Sequence, residues 1–168
     1  MDNFRSTYAT YADFCKAFES EMDRLYLLAF LLTANHKLAE GCFLRVLEEV
    51  PMDNTMLKPC VSTWVRRRLA ECALGSVFEQ PFRPDIRREG WFENINAGMY
   101  VDAVAQLDDL ERFVLVLAVL EGYSSQECSL LLGCNLRTVS GAKARALEKL
   151  GTTTRKVLES GECLRASA

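Results

Sequence analysis

Apolar residues recur at helical spacing along most of this chain, and the pattern predicts helices rather than strands. The first predicted helix covers residues 13–34, and two more cover 38–50 and 60–74. No segment before Gly75 alternates apolar and polar residues as a half-buried strand would. The inward face of the first helix is predicted to consist of Phe14, Phe18, Met22, Leu25, Ala29 and Leu32.

The segment 107–150 predicts three further helices joined by two glycine turns. The first has an apolar face made of Leu107, Leu110, Phe113, Val114, Leu117 and Leu120. Ser124 and Glu127 stand at the spacing of a capping box, so the second is predicted to begin there. Gly122 and Gly133 supply the turns. The third, 136–150, is predicted to bury Val139, Ala142, Ala146, Leu147 and Leu150. Two short helices around a glycine turn, braced by another, predict a helix-turn-helix.

These two groups of helices predict an all-α fold of two small helical domains. The first domain is predicted to cover residues 1–75 and the second 99–168, with a linker over 76–98 that contains Pro81 and Pro84. The aromatic residues of the linker predict that it docks on one helical part, or that 85–94 forms a short helix. Gly151 and the threonines after it are predicted to stop or kink the last helix.

Charge is distributed unevenly along the chain, although the formal net charge is only −3. Residues 136–168 carry seven basic and three acidic residues, and three consecutive arginines stand at Arg66, Arg67 and Arg68. A surface that faces phosphates requires such positive clusters, although many basic runs are only solvated faces. The distribution therefore favours nucleic-acid contact.

Composition excludes several other classes of protein. The seven cysteines form no CxxC pair and the single histidine, His36, has no cysteine pair near it, so no metal site is predicted and the thiols are expected to be reduced. His36 is expected to be solvated or to cap a helix. No phosphate-binding loop or nucleophile–histidine pair indicates an enzyme, and no cofactor is expected. The chain lacks a signal peptide and a membrane-length apolar run, which predicts a cytoplasmic protein.

The run LEGYSSQECSLLLGCNLRTVSGAKARALEKL resembles the promoter −35-reading domain, region 4, of sigma-70 family sigma factors of the extracytoplasmic-function type. The matching motifs are Glu111-Arg112, Glu121-Gly122-Tyr123-Ser124, Leu132-Gly133-Cys134 and Thr138-Val139. Residues 43–50 and 60–74 resemble segments of the −10-binding domain, region 2, of the same family, and they occur in the family's order. The resemblance implies a sigma factor that binds core RNA polymerase and promoter DNA.

The resemblance also implies site residues. DNA contacts are expected from Asn135, Arg137, Thr138, Ser140, Gly141, Lys143, Ala144, Arg145, Arg66, Arg67 and Arg68. Polymerase contacts are expected from Glu40, Phe43, Leu44 and Arg45. The chain departs from the family at two places. The family's acidic cluster before the segment Phe43-Leu44-Arg45 is reduced to Glu40, and the recognition helix reads TVSGAKARAL where the family reads TVKSRLHRAR.

These departures leave other interpretations open. One is a degenerate sigma-like protein that binds an anti-sigma factor or polymerase without reading DNA. Another is a LuxR-type regulator, a class that shares the glycine turn and the Thr-Val pair but usually carries an α/β domain. An anti-sigma factor is a further candidate partner of a sigma factor, and a monomer is expected when the chain is free.

Overall fold

In a computed structural model, the chain is described over residues 7–51, 56–79 and 95–165. It divides into two compact units, Met1–Asp85 and Ile86–Ala168, which we call the N-terminal and C-terminal units. Apart from isolated bridge residues, among them the antiparallel pair Tyr8 and Leu57, all regular structure in the described ranges is helical. The predicted all-α fold class is thus confirmed.

The N-terminal unit is a three-helix arrangement in which each helix packs against the other two. Helix α1 spans Tyr11–Thr33, α2 spans His36–Glu48, and α3 spans Val61–Glu79 after a 3-10 turn at Lys58–Cys60. The predicted apolar face of α1 lies in the core, except that Met22 is on an outer face. Two edge-to-face ring pairs, Phe14 with Trp64 and Phe18 with Phe43, lock α1 against its neighbours.

The single histidine, His36, follows the turn between α1 and α2, and its contacts show its role. Asn35 caps α2, since its Oδ1 accepts a hydrogen bond from the Leu38 N–H at 3.0 Å. His36 therefore does not cap. Its ring stacks on Phe30, with centroids 4.4 Å apart, and its Nδ1 lies 2.9 Å from the Tyr26 hydroxyl. His36 is a packing residue rather than the solvated or capping residue that the sequence predicted.

The described part of the C-terminal unit, residues 95–165, contains four helices. Helix α4 spans Ile95–Ala105, α5 spans Asp109–Leu115 and continues as a π-helical turn at Val116–Leu120, α6 spans Ser125–Leu131, and α7 spans Leu136–Arg165. The sequence pattern did not predict α4. Helices α3 and α4 occupy the two ends of the segment predicted as a linker, and the rest of it, residues 80–94, lies outside the described residues.

Helix α7 is twice as long as predicted, because Gly151 and the threonines after it do not stop it. The hydroxyls of Thr152 and Thr153 donate to the Lys149 carbonyl at 2.8 and 2.9 Å. Such bonds satisfy a threonine inside a helix without breaking the backbone ladder. A glycine costs a helix only about 1 kcal/mol relative to alanine, so one glycine does not end it.

The cysteines whose side chains the structure describes are all free thiols. Cys42 is buried between α2 and α3, and burial raises the pKa of its thiol to about 12. Its Sγ lies 3.5 Å from the Ser76 hydroxyl. No cluster of metal-ligating side chains occurs among the described residues. Within the same ranges, every helix is too short or too polar to cross a membrane.

Candidate nucleic-acid interface

Helices α6 and α7 form the helix-turn-helix, and local sequence fixes where α6 begins. Gly122 has φ +75°, the left-handed region that glycine adopts without strain. Ser124 Oγ then accepts the Glu127 N–H at 3.2 Å, and Glu127 Oε2 accepts the Ser124 N–H at 2.8 Å. The predicted capping box is therefore confirmed.

The turn between the two helices is also built by local interactions. Gly133 has φ +61°, and the Cys134 N–H donates to the Ser129 carbonyl at 3.1 Å. Asn135 Oδ1 accepts the Thr138 N–H at 2.9 Å and the Thr138 hydroxyl at 3.1 Å. Asn135 thus caps α7 and begins the recognition helix.

One face of α7 anchors it to the C-terminal unit. Val139, Ala142 and Ala146 are fully buried, as is Cys128 on α6. Leu147 differs from the prediction, because it is 48 % exposed. The small side chains of Ala142 and Ala146 let α7 pack closely against α5, so Leu147 is turned to the side of that contact.

The opposite face of α7 carries the residues predicted to meet DNA. Arg137, Ser140 and Ala144 are exposed, whereas Thr138 and Lys143 are half-buried at the flanks. Among the described residues, Arg137 makes no ion pair, so its guanidinium is available to a ligand. Gly141 is partly covered, and a Cβ at its position would lie 3.3 Å from Nη1 of Arg145.

Arg145 is held by a carboxylate on another helix. Its Nε donates to Glu111 Oε1 at 2.8 Å, and Lys149 Nζ donates to Glu111 Oε2 at 2.7 Å. Lys149 also donates to Asp108 Oδ2 at 2.8 Å. The hydrogen bonds to Asp108 and Glu111 raise the pKa of Lys149, and Lys149 lowers the pKa of Asp108. We call Asp108, Glu111, Arg145 and Lys149 the α5–α7 charge cluster.

Both residues of the Glu111-Arg112 motif on α5 are buried. Only 4 % of the Glu111 side chain is exposed. Arg112 is also buried, where it donates to the Leu107 carbonyl at 3.0 Å and bonds Asp109. No local pattern identified Glu111 as a site residue, since its partners are more than thirty residues away along the chain.

The three consecutive arginines of α3 all make ion pairs within the N-terminal unit. Arg66 donates to Glu21 on α1 at 2.6 Å, and Ser62 donates to the other oxygen of the same carboxylate at 2.7 Å. Arg68 binds both Glu49 and Glu71. Arg67 pairs with Glu71 at 3.0 Å but keeps 66 % of its side chain exposed. Arg67 is therefore the most accessible of the three.

The predicted polymerase-binding residues lie on α2. Glu40, Leu44 and Arg45 are exposed, and 60 % of Leu44 is open to solvent. Phe43 is half-buried, because its ring packs against Phe18. The helix thus presents an apolar residue beside charges of both signs.

Comparison with known proteins agrees with this geometry. Residues 97–150 match the family model described as Sigma-70, region 4. No curated protein sequence matches the chain. Among solved structures, the chain is similar to the sigma factor RpoE of Bartonella quintana, which was crystallised with the anti-sigma factor NepR. The TM-score is 0.56 at 17 % identity, and the match covers 85 % of this chain and 97 % of that chain. Residues 97–150 therefore form a domain of the Sigma-70, region 4 type, and the fold of the chain is similar to that of the RpoE sigma factor.

Proposed function

We propose that this protein binds core RNA polymerase and promoter DNA, and that α6 and α7 read the −35 element. The observation that supports this most directly is the helix-turn-helix inside the region 4 match, whose anchored face leaves Arg137, Ser140 and Ala144 exposed. The second helix of such a motif lies in the major groove and contacts bases through its N-terminal residues. Arg137 is near the start of α7, where a base contact is expected.

The remaining site residues take different roles in this proposal. Asn135 and Thr138 fix the N-terminus of α7, whose free amides and dipole attract a phosphate. Gly141 and Ala144 allow close approach of the helix to the groove. Lys143 and Arg145 flank the contact. In the N-terminal unit we assign DNA contact to Arg67 with Arg66 and Arg68 beside it, and polymerase contact to the exposed face of α2: Glu40, Phe43, Leu44 and Arg45.

A second candidate function is that of a sigma-like protein that binds other proteins without reading DNA. It is favoured by the ion pairs of Arg66, Arg68 and Arg145, which reduce the charge available to phosphates. The solved RpoE is bound to an anti-sigma factor. An anti-sigma factor is accordingly the partner that we propose for this chain in either function.

The first test measures polymerase capture and promoter binding together. Tagged protein is incubated with core RNA polymerase, and the complex is used to select promoter DNA from a random library. Arg137→Ala is expected to weaken binding of the selected DNA by about 1–3 kcal/mol, because it removes a base contact. It should leave polymerase capture unchanged.

Lys16→Ala is the matched control, since Lys16 is an exposed cation on α1. It should change neither measurement. Capture of polymerase without selection of any DNA would favour the second candidate function. Failure to capture polymerase would contradict both DNA reading as a sigma factor and polymerase binding.

A further inference from the structure

The cations of α7 fall into two groups with different surroundings. Arg137 makes no ion pair within the described residues, whereas Arg145 and Lys149 both bind Glu111 on α5. At 100° per residue, Arg145 lies about 80° and Lys149 about 120° round the helix from Arg137. The second group therefore lies on the flank that faces α5 and away from the face expected to enter a groove.

Burial of Glu111 explains why these two cations are held. A carboxylate with 4 % of its side chain exposed is stable only when charges or hydrogen bonds compensate its lost hydration. Arg145 occupies one oxygen and Lys149 the other. Either cation would leave a buried oxygen without a charged partner if it moved to a phosphate.

Gly141 supports the same arrangement. A Cβ at residue 141 would come within 3.3 Å of the Arg145 guanidinium, closer than ordinary van der Waals contact. The absence of a side chain lets Arg145 fold back along α7 while its Nε stays on Glu111. Asp108 adds a second carboxylate for Lys149, so the α5–α7 charge cluster has no net charge.

We propose that Glu111 is a positioning residue that keeps Arg145 and Lys149 off DNA phosphates, so that DNA contact by α7 depends on Arg137. This inference rests on the proposed function that α7 contacts DNA. In this arrangement the recognition helix approaches DNA with fewer cations than its sequence contains. Non-specific attraction, which depends on phosphate neutralisation, is reduced, and base contacts account for a larger share of binding.

The test compares full-length wild type with Glu111→Gln on duplex DNA of unrelated sequence, titrated over a range of salt concentrations. Glutamine keeps the shape of the side chain but removes its charge, so Arg145 loses its carboxylate partner, while Lys149 keeps Asp108. The logarithmic salt slope should steepen by about one unit, and affinity at about 0.1 M salt should rise roughly tenfold for the phosphate gained. Asp108→Asn is the matched control, because Glu111 still holds Lys149 in it; its slope should stay near wild type.

A second pair of variants keeps the inference testable if Glu111→Gln does not fold, as judged by circular dichroism. Arg145→Gln should leave the salt slope unchanged, since Arg145 is already occupied, while Arg137→Gln should lower it by about one unit. Equal losses in both variants would overturn the inference, because Arg145 would then reach DNA from its place on Glu111. A folded Glu111→Gln protein that binds DNA no more tightly than wild type would also overturn the inference. The absence of DNA binding in both wild type and Glu111→Gln would overturn it as well. An Arg137→Gln variant that binds as wild type does would instead contradict the proposed function.

Discussion

Two glycines of the C-terminal unit differ in whether the backbone conformation requires glycine. Gly133 has φ +61° in the turn of the helix-turn-helix, a conformation that a residue with a Cβ adopts only with strain. Gly151 is exposed within α7, and a Cβ there would meet nothing within 4 Å. The first glycine is required by the turn, whereas the second only weakens its helix.

The same substitution at these positions should therefore change stability in opposite directions. Gly133→Ala is expected to lower the free energy of unfolding by about 1–2 kcal/mol, the cost of a left-handed residue. Gly151→Ala should raise it by up to about 1 kcal/mol through helix propensity. Denaturant unfolding of the C-terminal unit, followed by circular dichroism, measures both. Equal effects of the two substitutions would show that the turn conformation is not what makes Gly133 necessary.

At the scale of single residues, the sequence predicted the caps and turns correctly. Ser124 bonds Glu127 as the capping box requires, and Gly122 and Gly133 both have positive φ. These features depend on residues three or four positions apart, which the sequence displays. The surroundings of Glu111 depend on residues brought together by folding, and for that reason no sequence pattern identified them.

Between elements, α1 and α3 are joined by Glu21, which binds both Arg66 and Ser62. The Arg66 guanidinium, followed by the Ser62 hydroxyl, lowers the pKa of Glu21 below its ordinary value of 4.5. The unfolded chain therefore binds a proton at this carboxyl more readily than the folded chain does. The stabilisation by the Glu21 ion pair is complete above pH 4.5, and it is lost as the pH falls through the lower pKa of Glu21 in the folded protein.

Glu21→Gln should consequently reduce the acid sensitivity of the N-terminal unit. The variant is expected to be less stable than wild type at neutral pH, where the ion pair is intact, and the difference should shrink as the pH falls below the ordinary glutamate pKa. Denaturant unfolding at a series of pH values measures this. Lys16→Gln, on the same helix, should keep the wild-type pH dependence. A constant difference between Glu21→Gln and wild type at every pH would mean that the linkage is absent.

Element boundaries were predicted less well than element type. The π-helical turn at Val116–Leu120 contains one residue more than an α-helical turn, since the Glu121 N–H donates to the Val116 carbonyl five residues back. That shift leaves Leu120 55 % exposed, although an unbroken α-helix predicts it inward. Helix α7 likewise continues through a glycine and threonines, because each such residue has only a small local effect that a long helix exceeds.

At the scale of the whole molecule, the charge on α2 should control how well the proposed polymerase contact forms. Where the resemblance to sigma factors leads us to expect an acidic cluster, the chain has a segment in which Lys37 and Gly41 are exposed on α2. A Cβ at Gly41 would meet nothing within 4 Å, so a larger side chain fits there. Because charge complementarity controls encounter and specificity between proteins, these positions are suited to a gain-of-binding test.

The double variant Lys37→Asp, Gly41→Glu should be retained by core RNA polymerase roughly thirtyfold better than wild type, given about 2 kcal/mol or more for a close charge pair. Pull-down with quantified core measures retention. Lys16→Asp, Ser20→Glu is the matched control, because it makes the same charge change at the same spacing on the exposed face of α1. Equal retention of both variants would show that general acidity, rather than the position on α2, controls binding.

The sequence by itself determined the helical class, the helix-turn-helix with its caps and turns, and the family of the C-terminal domain. Each depends on periodicity or on residues close together in the chain. Only the tertiary structure decided which charges are available, because ion pairs form between helices that meet through folding. Arg66 and Arg145 have the same charge in the sequence as Arg137, but Glu21 and Glu111 hold them. Arg137 is left to contact a ligand because it forms no ion pair with a described carboxylate.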